Sequence, residues 1–440
     1  MRVHLFAVGS QVVPGLAMAL LQAGHEVSIS SDDVPGVSRE RLAAIKPLSI
    51  GWPPENILRS TDVVVVGPNA NPDDPHLLQA RRLPIPIQSL PEFIGNLSEG
   101  QTRIVVAGTH GKSTVLAMAM HSLRRQKIDF DYVVGETVEG FESSVRLSGA
   151  PFILLEGDEN PASPLDPTPA MVKCRPNVAV VTGIHWSEPE AHPSPDEYRA
   201  AFEQLIAALP PGANFIWNNQ DTVLRNLVAS RRADAQFFSV PYEPFPAIVQ
   251  RGTQIVKMWG KPRAPMQAFG EHNLANAKAA FMVCREMGVW MEDFLRDLAS
   301  YKGLPKRLEP LATARTCAAW SDAAHTPASV AATVDAVKAL FPERPIVACL
   351  ELQNLAGALL GQFAHVMDKA EQAFVLTSQQ IPAAKVQEAF QRLDLQVFTS
   401  MPELERTLED LHWLSRNLLF MSAGNFGGTD LSRLARLLFS

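Results

Sequence analysis

Cysteine is scarce and scattered. The four present, Cys174, Cys284, Cys317 and Cys349, form no Cys-x-x-Cys pair, which excludes a disulfide framework and a cysteine-based zinc site; reduced, buried thiols are expected. No apolar run approaches the roughly 18 residues that a membrane span requires. The amino-terminal stretch, Arg2 to Val8, reads as a first strand rather than a signal peptide. Positive charge is not in excess: 39 Lys and Arg face 46 Asp and Glu, for a formal net charge of −7. That leaves no basic footprint, so neither nucleic acid nor a membrane is expected as a partner. No repeat and no low-complexity tract is visible. A soluble, cytoplasmic protein is the expectation, as a monomer or a weak dimer.

What is present is ordinary for a globular chain, 46% hydrophobic and 19% charged. At about 150 residues per domain, 440 residues predict three domains. Short β-branched runs alternate with helical patterns throughout, the mark of α/β domains.

The most informative stretch runs from Arg103 to Leu123. The strand pattern Arg103-Ile104-Val105-Val106-Ala107 opens into Gly108-Thr109-His110-Gly111-Lys112-Ser113-Thr114 and then into helical spacing. This is the order in which a phosphate-binding loop is built. Glycines let backbone N–H groups converge on phosphate oxygens, the helix start adds a positive dipole end, and Lys112 adds a cation. Ser113 offers its hydroxyl to magnesium. The longer G-x-x-x-x-G-K-[ST] form is absent, because Val106 stands at its first glycine. A surface turn that merely contains Gly-Lys-Ser is the plainer alternative; the flanking strand and helix count against it.

Upstream, the first strand, the helix ending at Gly24 and the strand Glu26–Ser30 read as a βαβ opening. Gly9-Ser10-Gln11 stands where a dinucleotide fingerprint has its glycines, and Gly15 alone resembles a later one. Asp32 lies where a ribose or phosphate edge is often approached, although capping of the next loop explains it equally. Asp62–Gly67 extends this sheet, and Pro91–Gly100 reads as a linker. Downstream, the strand Phe152–Leu155 delivers Glu156, Asp158 and Glu159 at its carboxyl end, where a metal beside phosphates finds hard oxygen ligands. Glu156 is the candidate ligand; Asp158 and Glu159 are candidates for orienting water or substrate. His185 and His192 follow the strand ending at Thr182, and as isolated histidines more often carry no metal. His272 and Asn273 open a helix, where capping competes with contact to a planar base. The last third, with Lys306-Arg307-Leu308-Glu309 and Ser321-Asp322-Ala323-Ala324-His325, again alternates strands and helices.

Gly-Thr-His-Gly-Lys-Ser-Thr, Leu-Glu-Gly-Asp-Glu, Gly-Glu-His-Asn-x-x-Asn, Lys-Arg-Leu-Glu and Asp-Ala-Ala-His-x-Pro together resemble the Mur ligases in order and spacing, and most of all their muropeptide-recycling branch. The resemblance implies an α/β fold of three domains: a Rossmann-like UDP-sugar domain (1–100), a central P-loop ATPase domain with a mainly parallel sheet (101–304) and a carboxyl-terminal Rossmann-like ligase domain (305–440). It implies ATP and Mg2+, with UDP-N-acetylmuramate or a similar UDP-sugar as acceptor. ATP phosphorylates the lactyl carboxylate, and an amino acid or muropeptide amine attacks the acyl phosphate. Roles follow by the same resemblance. Gly108 to Thr114 and Lys112 meet the phosphates, while Ser113 and Glu156 hold magnesium. His272 and Asn273 meet the adenine, Arg307 and Asp322 reach the nucleotide, and His325 contacts the phosphate or the incoming substrate. Gly9, Ser10 and Asp32 are the expected sugar-nucleotide contacts. The chain departs from the pattern at Ser187-Glu188, where the family has Asp-His. Glu188 then serves as an oxygen ligand, or the second metal site is weakened. A diverged nucleotide-binding relative that does not turn over is the competing reading.

Overall fold

The computed structural model describes residues 1–7, 12–30, 49–50, 59–186, 192–231, 236–352, 360–377 and 382–440. β1 (Arg2–Phe6), β2 (Glu26–Ser30), β3 (Ser49–Ile50), β4 (Val63–Val66) and β5 (Ile87–Ser89) form a parallel sheet in the order β3-β2-β1-β4-β5. The valines of β4 are all buried, as expected of a strand covered on both faces.

A second sheet contains β6 (Thr102–Ala107), β7 (Asp131–Val133), β8 (Val145–Arg146) and β9 (Phe152–Glu156). After a hairpin of β10 (Pro161–Ser163) and β11 (Asp166–Pro169), β12 (Val178–Val181), β13 (Asn214–Asn218) and β14 (Phe238–Tyr242) complete it. The order is β14-β13-β12-β6-β9-β7-β8, parallel except for β7 with β8. β6 is therefore central, and Val106 pairs with Val180 on one side and Glu156 on the other. The loop after β6 opens at the carboxyl ends of these strands, where open α/β sheets bind ligands.

An antiparallel sheet follows, β15 (Ala247–Gln250), β16 (Thr253–Met258) and β17 (Lys261–Met266). Alternate residues of β16 are buried, a period-two signal that the reading of the sequence above passed over. The last sheet holds β18 (Glu309–Thr313), β19 (Ala318–Asp322), β20 (Ile346–Leu352), β21 (Gln372–Thr377), β22 (Gln396–Phe398) and β23 (Asn417–Met421). Its order is β18-β19-β23-β20-β21-β22, parallel except for β18 with β19. The fold is mixed α/β with mostly parallel sheets, as expected.

By internal packing the chain forms two compact units, residues 1–243 with 275–294 and residues 244–274 with 295–440. In the first, one apolar core runs from Val3 and Leu5 of β1 through Phe93 and Ile94 to Val105 and Leu155 of the second sheet. The segment Pro91–Gly100 is accordingly not a linker. Leu90–Leu97 is a helix with Pro91 in its first turn, where the missing N–H costs no hydrogen bond, and Phe93 and Ile94 bind it into the core. Gly15 has a packing role: its helix, Val12–Gln22, meets Ser143, Ser144 and Val145 there. All four cysteines are free and buried; burial pushes the Cys174 thiol up to about 12, which leaves it unreactive. Among the described residues no helix is long and apolar enough to cross a membrane.

Candidate active site

The turn between β6 and the helix Lys112–Arg125 is fixed from two directions. Gly108 has φ 124° and Gly111 φ 86°, in the left-handed region where side chains are strained. Space is also missing: a Cβ on Gly108 would stand 2.2 Å from Thr182 Oγ1, and one on Gly111 2.3 Å from Asn276 Oδ1. The Thr182 hydroxyl donates to His110 O at 2.6 Å, and Thr109 N donates to Gly183 O at 3.0 Å. Asp221, buried, accepts from Ile184 N at 2.8 Å and Leu224 N at 2.9 Å and so sets the turn that braces the loop. Gly111 gives the helix no side-chain cap, and its first N–H groups remain suited to an anion. Thr114 is buried in the first turn, so its side chain serves packing.

Around this turn the polar side chains converge. Lys112 Nζ donates to Gly108 O at 2.7 Å and to Glu159 Oε2 at 3.0 Å. Ser113 Oγ donates to Glu156 Oε1 at 2.7 Å, while Gly135 N holds the other carboxylate oxygen at 2.8 Å. Tyr198 OH donates to Glu159 Oε1 at 2.8 Å and lies 2.7 Å from Thr109 Oγ1. Thus Lys112 and Ser113 share one site, at the end of β6 and β9, with Glu156, which lies 43 residues beyond Ser113 in sequence. A hydroxyl beside a carboxylate that is itself oriented by a backbone N–H is a hard-oxygen pair of the kind that holds Mg2+ together with phosphate oxygens. Among the described residues no three of His, Cys, Asp and Glu gather as metal ligands. His185 Nδ1 is 3.8 Å from Asp221 Oδ2, and the His192 ring lies edge-on to Tyr198. Glu188, Gly9, Ser10 and Asp32 lie outside the described residues.

The second unit carries the other candidates. Asn273 Nδ2 donates to Phe269 O at 2.8 Å, fixing the entry into the helix Glu271–Glu286. His272 is held down to about 4, first by desolvation and then by the Arg307 guanidinium, so it is neutral near pH 7 and can both donate and accept. Asp322 is buried and accepts from Leu308 N at 2.7 Å and Ala324 N at 2.8 Å. Desolvation raises its pKa, and the hydrogen bonds from Leu308 and Ala324 lower it in part. Asp322 therefore acts on the backbone that presents Arg307 and His325 rather than offering a free carboxylate. His325 is exposed, with Nδ1 2.8 Å from Ala323 O. Glu351, also buried, accepts from the Ser422 hydroxyl and from Phe426 N and ties down the turn after β23.

This arrangement has known counterparts. Residues 106–284 match the Mur ligase middle domain, and residues 306–423 match the Mur ligase glutamate ligase domain. A UDP-N-acetylmuramate–L-alanine ligase of Mycobacterium avium is 30% identical over 418 residues, covering 85% of this chain and 82% of that protein. The chain belongs to the Mur ligase family. A Rubrobacter xylanophilus ligase of the same name is 27% identical over 80% of this chain and 78% of its own. Among solved structures, the UDP-N-acetylmuramate–alanine ligase of Thermotoga maritima superposes with a TM-score of 0.71 at 20% identity, covering 99% of both chains. A murein peptide ligase of Psychrobacter arcticus gives 0.63 at 18% identity, covering 100% of this chain and 99% of that one. At these identities the structures speak for the fold.

In this Mur ligase the sequence motifs pointed to Lys112, Ser113 and Glu156 but missed the groups that hold them. Tyr198 was hidden because it also fits the apolar spacing of its helix, Pro195–Ala207. Thr182 touches the loop only because β12 passes beside it, and Asn276, although it closes the Gly-Glu-His-Asn-x-x-Asn motif, gives no local sign of its closeness to Gly111.

Proposed function

We propose that this protein is an ATP-dependent ligase that joins an amino acid or peptide to the lactyl carboxylate of UDP-N-acetylmuramate, in peptidoglycan synthesis or recycling. The observation that carries the reading is the Lys112, Ser113 and Glu156 group around an uncapped helix start. Lys112 and the loop N–H groups bind and orient the transferring phosphoryl group, a task of position and charge. Ser113 and Glu156 would hold Mg2+, which neutralises phosphate charge when bound. By the family resemblance, His272 and Asn273 would meet the adenine, Arg307 the nucleotide, and His325 the phosphate or the incoming amine. The division into 1–100, 101–304 and 305–440, each containing a principal sheet, suits separate handling of UDP-sugar, ATP and amine. We assign the enzyme to the cytoplasm, where these substrates occur together.

A second reading, a relative that binds nucleotide without turnover, is favoured by the departures at Ser187-Glu188 and at the first loop, Gly9-Ser10-Gln11. The deciding experiment is phosphate release from ATP and Mg2+ with UDP-N-acetylmuramate and a panel of L-alanine, tripeptide and tetrapeptide amines. Release that depends on one of these amines is expected. ATP binding with no amine-dependent release would sink the ligase reading in favour of the second.

A further inference from the structure

A lysine ammonium has three N–H donors. Two of those on Lys112 are committed, to Gly108 O and to Glu159 Oε2, so one remains for a phosphate oxygen. Glu159 is 9% exposed and Tyr198 5%. The Tyr198 hydroxyl donates to Glu159, its oxygen accepts from Thr109 Oγ1 at 2.7 Å, and Thr109 Oγ1 accepts from His185 N at 2.8 Å. Because the Glu159 carboxylate only accepts, Tyr198 gives it the single phenolic proton and its oxygen is left to accept from Thr109, so the hydroxyl protons are ordered in one direction along this chain, from His185 to Glu159. Such a buried polar chain is costly to assemble, and a buried ion pair is poor evidence for stability by itself. Its geometric effect is specific: both oxygens of Glu159 are spoken for, and the ammonium is set at a fixed place in the loop.

We infer that Glu159, held by Tyr198 and Thr109, is a positioning residue that fixes the Lys112 ammonium and leaves one N–H for the transferring phosphoryl group. The catalytic half of this inference rests on the ligase reading above. A carboxylate near the phosphates weakens ground-state binding of ATP; its benefit appears in the transition state, where the oriented donor meets growing charge. Glu159→Gln keeps the shape and an acceptor while removing the charge. ATP, measured by calorimetry, then binds about 5-fold tighter, and kcat falls about 10- to 100-fold.

The experiment compares wild type, Glu159→Gln, Tyr198→Phe and the double variant for ATP affinity, kcat, KM and thermal midpoint. Tyr198→Phe removes one hydroxyl and carries the test if Glu159→Gln does not fold; it lowers kcat several-fold with unchanged or tighter ATP binding. The double variant should lose no more than Glu159→Gln alone. Unchanged kcat and affinity in the single variants overturn the inference, as does weakened ATP binding that tracks a lowered midpoint, the signature of a merely structural pair. Additive losses in the double variant overturn the relay through Tyr198. A wild type without amine-dependent phosphate release fails the ligase reading instead, and the inference is then decided by affinity: it stands if Glu159→Gln tightens ATP binding and falls otherwise.

Discussion

Under the ligase reading Lys112 is the residue on which most of the chemistry depends. Lys112→Ala should abolish turnover, by about 10³-fold or more, and lower the thermal midpoint without unfolding the chain, because the buried Glu159 carboxylate is left without its cation. Phosphate release and calorimetry on the same sample check this; retained ATP consumption would mean that the phosphates lie elsewhere. His4 is the opposite case, a core residue without chemistry. It is fully buried in β1, with Ser28 Oγ 2.7 Å from Nδ1 and Ser30 Oγ 2.6 Å from Nε2, and desolvation lowers its pKa to about 4. The neutral ring is thus favoured by folding, and its stabilisation is complete above the unfolded value near 6.5 and is lost as pH falls from there toward about 4. The shift corresponds to about 3 kcal/mol at full protonation. Urea midpoints between pH 7 and 4 should fall more steeply in wild type than in His4→Gln; parallel slopes would show that His4 is not a source of acid sensitivity. Of the residues named from motifs, Lys112, Ser113 and Glu156 were legible because phosphate and metal chemistry demand those types after a strand. Glu159 was legible as a carboxylate but not as the partner of Lys112.

At the level of elements, the phosphate loop shows how a short motif depends on a distant strand. The left-handed φ of Gly108 and the closeness of Thr182 Oγ1 at 2.2 Å from a Cβ act together. Gly108→Ala should therefore cost about 2–4 kcal/mol and weaken ATP binding as well. Denaturant unfolding and nucleotide titration check both; a variant of wild-type stability would show that the loop yields easily. Strands and helices with strong periodicity were read to within a few residues, since boundaries fray while burial patterns persist. The misread segment was Pro91–Gly100. Its proline suits a first helical turn as well as a linker, and only the burial of Phe93 and Ile94 decides between them. Asp322 was legible as an acid, but nothing local reveals that the N–H groups of Leu308 and Ala324 each donate to one of its oxygens.

Over the whole molecule, the first sheet and the second share one core, in which Val3, Leu5, Leu16 and Leu20 join Val105, Ile153 and Leu155. A fragment 101–440 should consequently expose apolar surface, bind a hydrophobic dye and melt well below the full chain. A fragment with the wild-type midpoint would show that the two sheets are energetically independent. The sequence by itself determined the α/β class, the three large mostly parallel sheets, the glycine loop after β6 and the carboxylates at the end of β9, because strand and helix periods, glycine positions and the order of motifs are local properties. Only the tertiary structure decided what surrounds them. It placed Thr182 and Asn276 against the loop glycines, Tyr198 and Thr109 behind Glu159, and backbone donors on Asp322. These contacts join residues tens of positions apart, and hydrogen-bond satisfaction of buried polar groups is settled by packing rather than by neighbours in the chain.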